Sequence, residues 1–285
     1  MPAFDTAKTF DTPKPITATV GFEVGTLRVV AGDGTATVVD VRPGSEIRDE
    51  DVKAAERTRV EFANGSLLVK GPKNRSPFRK GPALDVRITL PAGSELRVDT
   101  QLVHVTTEGR LGDCEIKTAV GDLQIEQTAG VRLTTGYGEI SLGRANGPAD
   151  VITGSGGVRL GEVTGKVTVK NSNGATDIGA VEGDLSAKAS NGSVTVGRAE
   201  ADITLRSANG ALRVGELARG TTVLETAAGP IEVGIRHGTA AWLDVRTRAG
   251  SVRQPLEESE APPASVDTVK VRARTALGDI TIHRA

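Results

Sequence analysis

A glycine, or a small stand-in, returns every nine residues through the middle of this chain, and an apolar side chain stands at the second and fourth positions after it. Gly156, Gly165, Gly174, Gly183, Gly192 and Gly210 mark the beat, with Ala201 filling one gap. The fourth-position residues are Leu160, Val169, Ile178, Ala187, Val196 and Val214, with Leu205 in the Ala201 unit. The second-position residues are Val158, Val167, Thr176, Leu185, Val194 and Leu212, with Ile203 in the Ala201 unit, so Thr176 is the polar exception. So short a period specifies stacked coils, each resting on its neighbours, rather than a domain built around one central core.

Side chains alternate across a strand, so the second and fourth positions share one face and the odd positions the other. Each nine-residue unit is therefore one short strand and one turn. Neighbouring units differ: Gly174 to Glu182 and Gly192 to Glu200 carry a second glycine after the apolar pair, where Gly165 to Asn173 and Gly183 to Asn191 carry a lysine, so the true period is 18 residues. The fold predicted is all-β, a parallel β-solenoid of β-helix or β-roll type with two short strands per coil and coils about 4.8 Å apart. The glycines are its structural turns, where a positive φ or a close backbone approach excludes a Cβ.

Stacking also generates ladders. Asn173, Asn191 and Asn209 recur at 18-residue intervals before a glycine, and their amides are expected to bond turn backbones or one another up the stack. Lys170, Lys188 and Arg206 form a second ladder on the outward side. It reads either as a polyanion site or, the reading favoured by Glu162, Glu182, Asp184, Glu200 and Asp202 nearby in sequence, as one side of a charge-balanced sheet.

Rhythm divides the chain into three. Residues 1–94 break into short alternating runs with turn signals at Gly32-Asp33-Gly34 and Asn64-Gly65, read as antiparallel or meandering strands of a β-rich N-terminal capping region. One short helix is predicted over Asp49 to Arg57, where acids open a run of helix formers, lying over the open end of the stack. Within this region a basic loop, 71–81, holds Lys73, Arg75, Arg79 and Lys80 beside Phe78; a solvated hairpin loop is favoured over an anion contact. Residues 95–235 are the solenoid repeat. From 236 to 285 the glycine spacing slips, to 19 residues between Gly210 and Gly229, 21 to Gly250 and 28 to Gly278. This part is read as C-terminal coils and a cap, with Trp242 as its large plug, an acidic loop at 255–267, and Val269 to Thr275 and Asp279 to His283 as the strands that finish it.

Composition bounds the chemistry. Aromatic residues are 2% of 285, so the core is thin and aliphatic. Lys plus Arg (35) and Asp plus Glu (36) nearly cancel, so no nucleic-acid partner is expected. The single cysteine, Cys114, falls at an inward repeat position and reads as a small buried hydrophobe. His104, His237 and His283 are scattered. Asp113, Asp122, Glu139 and Asp184 directly follow glycines and do not give the recurrent Gly-x-Asp of a calcium-binding β-roll. Asp113 with Glu115 and Asp122 comes nearest to a carboxylate cluster for hydrolysis. No catalytic set, metal, cofactor or small-molecule substrate is predicted. The N-terminus lacks a basic segment followed by an apolar run, and no stretch approaches the roughly 18 apolar residues of a membrane span, so a cytoplasmic protein is expected.

The Gly-Asp/Glu units, the central Val169-Lys-Asn-Ser-Asn-Gly174 and the closing Arg274-Thr-Ala-Leu-Gly-Asp-Ile-Thr-Ile282 resemble bacterial β-strand-repeat proteins of unknown function that carry the label "putative adhesin" and are frequent in actinomycetes. The resemblance runs from about Ile16 onward and implies surface display, with no catalytic residues to carry over. The function expected is that of a non-catalytic scaffold or interaction protein, contacting a protein partner or a second copy of itself through a sheet face or end-to-end coil pairing. The alternative is a surface adhesin or a carbohydrate-binding or carbohydrate-cleaving β-helix, disfavoured by the scarcity of aromatic platforms.

Overall fold

The computed structural model describes residues 7–72, 81–255 and 267–285. They form two compact units, Met1–Gly143 and Arg144–Ala285. Apart from the helix Asp49–Arg57, the regular structure described is β-strand.

In the C-terminal unit the 18-residue period is the register of the ladder. Ala149–Ser155, Val167–Asn173, Leu185–Asn191, Ile203–Asn209 and Gly220–Ala228 pair in parallel, with Val167 opposite Leu185 and Leu185 opposite Ile203. Val158–Val163, Thr176–Val181, Val194–Ala199, Leu212–Leu217 and Ile231–Ile235 build a second parallel ladder in the same way. Inward residues of both ladders, among them Val167, Leu185, Ile203, Val158, Val194 and Leu212, are buried. Each such side chain stabilises the stack by roughly 1.5–3 kcal/mol, and it does so only while the coils above and below are in place.

The slip in glycine spacing has a topological cause. Thr268–Leu277 pairs in parallel with Gly220–Ala228 on one side and with Ala240–Ala249 on the other, and Ile280–Arg284 sits likewise between Ile231–Ile235 and Val252–Arg253. The expectation that the last strands finish a cap is therefore corrected. They occupy the penultimate place, and Ala240–Ala249 is outermost. Trp242 is not a plug: it is 74% exposed, because alternation along the outermost strand puts it on the outer face opposite Lys270.

The N-terminal unit is also built on parallel ladders, which corrects the antiparallel or meandering reading for the runs Ile16 to Val24 and Leu27 to Val30. Thr17–Gly21 lies in parallel between Ser66–Lys70 and Glu95–Asp99, and Val24–Gly32 lies in parallel between Ala83–Pro91 and Leu102–Arg110. Local alternation and turn residues could not distinguish this arrangement from a meander, because strand direction depends on a partner far away in sequence. Antiparallel pairing is found at the end of this unit, where Arg59–Ala63 lies on Ser66–Lys70, Ala36–Pro43 on Ala83–Pro91, and Lys8–Asp11 on Ala36–Pro43. The Phe10 and Phe62 rings meet there at 5.4 Å, joining the two short edge strands. The helix packs on Ala36–Pro43 and Ala83–Pro91. Its buried Asp51 accepts the Ala83 N–H at 3.0 Å.

Candidate functional site

The turn glycines fall into two kinds. Gly156, Gly174, Gly192 and Gly210 have φ of +144°, +137°, +150° and +159°. Gly165 and Gly183 lack a positive φ but abut the previous coil: a Cβ there would lie 2.4 Å from the Gly147 carbonyl carbon and 2.6 Å from the Gly165 carbonyl carbon. At Gly174 and Gly192 the two constraints combine.

The asparagines form one hydrogen-bonded column. Asn191 Nδ2 donates to Asn173 Oδ1 at 2.9 Å and Asn209 Nδ2 to Asn191 Oδ1 at 3.0 Å, while Asn173 Nδ2 lies 3.4 Å from both Gly154 O and Ser155 Oγ. Beside it on the outer face Lys170, Lys188 and Arg206 are aligned by register, and the column continues through Glu225 and Arg274 to Arg246. Arg206 pairs with Glu225 at 3.0 Å. Among the described residues no carboxylate lies within salt-bridge distance of Lys170 or Lys188. Three of the acids close in sequence are engaged elsewhere: Glu162 with Arg144, Glu200 with Arg198 at 3.6 Å, and Asp202 with the Thr221 N–H at 2.7 Å.

The column ends on the outermost strand. There Asp244 sits 3.4 Å from Arg246, 3.3 Å from Arg272 and 3.4 Å from Arg274. Desolvation, the largest single effect, pushes its carboxyl up, but Arg246, Arg274 and Arg272 together outweigh it and hold the group below its usual range. Trp242 flanks this cluster.

The other candidates do not converge. Asp113 and Asp122 stand at the two ends of the strand Cys114–Val120 and turn to the backbone, accepting the Gly130 and Glu139 N–H groups at 2.9 and 2.8 Å, while Glu115 is on the outer face. Asp279 does the same with Ser251 at 2.7 Å, and that N–H lowers its pKa. These acids tie one coil to the next, a role that their position just after a glycine could have suggested. His104 Nδ1 accepts the Asp122 N–H at 3.2 Å, His283 Nε2 is 3.5 Å from Glu232, and His237 is exposed. Among the described residues no three His, Cys, Asp or Glu side chains are placed to share a metal ion. Cys114 is buried, and burial pushes its thiol up to about 11. A groove of about 570 Å³ on the N-terminal unit went unread in the sequence; Thr19, Lys70, Arg97, Asp99, Glu115 and Lys117 line it with charges of both signs. The basic residues 73–80 and the acidic residues 256–266 lie outside the described residues. No helix described is long and apolar enough to cross a membrane.

No curated protein matches the chain at a significant level. Among solved structures the chain is similar to a "putative cell adhesion protein" from Clostridium sporogenes, at 13% identity over 98% of this chain and 99% of that one, with a TM-score of 0.19. It is similar to a "putative adhesin" from Bacteroides fragilis at 11% identity over 98% and 96%, with a TM-score of 0.23. A "putative adhesin" from Parabacteroides merdae matches at 9% identity over 98% and 95%, with a TM-score of 0.37. The sequence model of one family spans most of the chain, residues 47–283, and on that match the chain belongs to the Toastrack DUF4097 family.

Proposed function

We propose that this protein is a non-catalytic β-solenoid interaction module whose C-terminal unit holds a protein partner bearing acidic side chains. The observation that carries this reading is the outward column of Lys170, Lys188 and Arg206, set by ladder register, with the first two cations unopposed by any described carboxylate. Ladder spacing presents the charges at intervals of about 4.8 Å. The hydrogen-bonded asparagines beside them stiffen the same edge of the sheet, so little ordering is needed on binding. The full chain and a Lys170→Glu/Lys188→Glu variant, each immobilised and exposed to lysate, test it. A protein retained by the first, released by salt and lost from the second is expected. Identical retention by both would sink the reading.

The second reading is a surface adhesin or carbohydrate-binding β-helix, and the exposure of Trp242 favours it over what the sequence suggested. A sugar ring stacked there would change tryptophan fluorescence, and this chain has a single Trp. An unchanged emission across a panel of glycans would remove it.

A further inference from the structure

Among the described residues, the outermost strand of the C-terminal unit, Ala240–Ala249, is paired on one side only. It is ten residues long and contains no proline. The end of the N-terminal unit is different: its edge strands, Lys8–Asp11 and Arg59–Ala63, have four and five residues and are joined by the Phe10–Phe62 contact. Short, tied edges resist pairing with another chain, and a long open one invites it.

Alternation identifies the free backbone groups. The Ala240 N–H donates to Asp267 O at 2.9 Å, so even-numbered residues from 240 to 246 bond toward Thr268–Leu277. The N–H and C=O groups of Ala241, Leu243, Val245 and Thr247 therefore point out of the open edge. The side chains of these four face the solenoid interior, and they are only half-buried because no further described coil covers them.

We infer that two copies of this chain join through the Ala240–Ala249 edge, by antiparallel pairing about a two-fold axis at Val245. Val245 then faces its own equivalent, and Leu243 faces Thr247 of the second copy, all in hydrogen-bonding positions of the ladder. On the outer face Asp244 meets Arg246 of the second copy and Trp242 meets Arg248 of the second copy. Symmetry doubles each contact, giving two ion pairs and two cation–π contacts. Other registers lose this match. An axis at Asp244 sets Asp244 against itself, an axis at Arg246 sets Arg246 against itself, and an axis at Leu243 places Trp242 against Asp244. The half-buried Leu243 and Val245 are covered at the same step.

This inference rests on the interaction-module reading but uses the outermost strand and neither Lys170 nor Lys188. Sedimentation equilibrium of the full chain should give twice the 29.5 kDa monomer mass. Val245→Pro removes an N–H that points out of the edge and none that bonds within the chain, so it should yield a monomer with unchanged far-UV circular dichroism. Under mild oxidation Val245→Cys should give a covalent dimer and Leu243→Cys should not, since Leu243 faces Thr247. The native Cys114 is buried and stays out of that reaction. A monomer at every concentration, a dimer that survives Val245→Pro, crosslinking at Leu243→Cys in place of Val245→Cys, or a mass that grows without limit would each overturn the proposal. Lys170→Glu/Lys188→Glu should leave the dimer intact, so failure of partner capture and failure of self-pairing are read separately.

Discussion

At Gly192 the backbone has φ +150° and an added Cβ would lie 2.0 Å from the Gly174 carbonyl oxygen. At Gly65, in the hairpin between Arg59–Ala63 and Ser66–Lys70, φ is +73° but a Cβ would meet nothing within 4 Å. The first glycine is required by conformation and by the coil beneath it, the second by conformation alone. Gly65→Ala should therefore cost about 1 kcal/mol of unfolding free energy, the penalty of the left-handed region. Gly192→Ala should cost about 3 kcal/mol or more, since the strained φ and backbone overlap add. Urea titrations with equal slopes would check this, and equal losses would show that the coil spacing relaxes to admit a methyl group. The nine-residue beat marks Gly183 and Gly192 alike. It could not separate Gly183, whose φ is not positive, from Gly192, because glycine is the answer to either constraint.

Just inside several positive-φ corners a polar side chain covers the glycine carbonyl of an adjacent coil. Ser207 Oγ donates to Gly192 O at 3.3 Å, Thr226 Oγ1 to Gly210 O at 3.1 Å, Thr275 Oγ1 to Gly229 O at 3.0 Å, and Thr247 Oγ1 to Gly278 O at 2.9 Å. In the coil where register puts Ala189 at this position, the Gly174 carbonyl is served from the neighbouring coil. Asn171 Nδ2 reaches both Gly156 O and Gly174 O at 3.1 Å, and also Thr176 Oγ1 at 3.3 Å. That explains the polar exception at Thr176, which the apolar consensus marked without a reason. The partner of Thr176 lies in the same coil, but its second acceptor depends on what the next coil lacks, so the triad is not legible from the repeat. Asn171→Thr should lower stability by about 1–3 kcal/mol, because a buried carbonyl and hydroxyl lose a donor. Adding Ala189→Thr and Thr176→Val restores the pattern of the other coils and should recover most of the loss. Chemical denaturation of the single and triple variants tests the coupling, and additive losses would refute it.

Each unit sets the parallel coil nearest its chain end one place in from the last parallel coil of its stack. In the N-terminal unit Thr17–Gly21 and Val24–Gly32 are flanked on both sides by later strands. In the C-terminal unit Thr268–Leu277 and Ile280–Arg284 are flanked on both sides by earlier ones. The repeat could not show this order, since every coil offers the same inward apolar faces to whichever coil lies next; only the stretched 28-residue interval from Gly250 to Gly278 carried a trace of it. The inserted coil buries Val269, Val271, Ala273, Ile280 and Ile282. It also holds the turn that steps over it, with Arg284 Nη1 donating to Thr239 O at 2.7 Å and to Arg236 O at 3.2 Å. Removing residues 268–285 should therefore release Ala240–Ala249, whose only described ladder partner is lost, while Leu185–Asn191 keeps both neighbours. Hydrogen exchange on the shortened chain should find the amides of 240–249 exchanging as in a free peptide and those of 185–191 still protected. Protection persisting at 240–249 would mean that this strand had moved onto Gly220–Ala228, and that the coils hold their order by loop length rather than by the insertion.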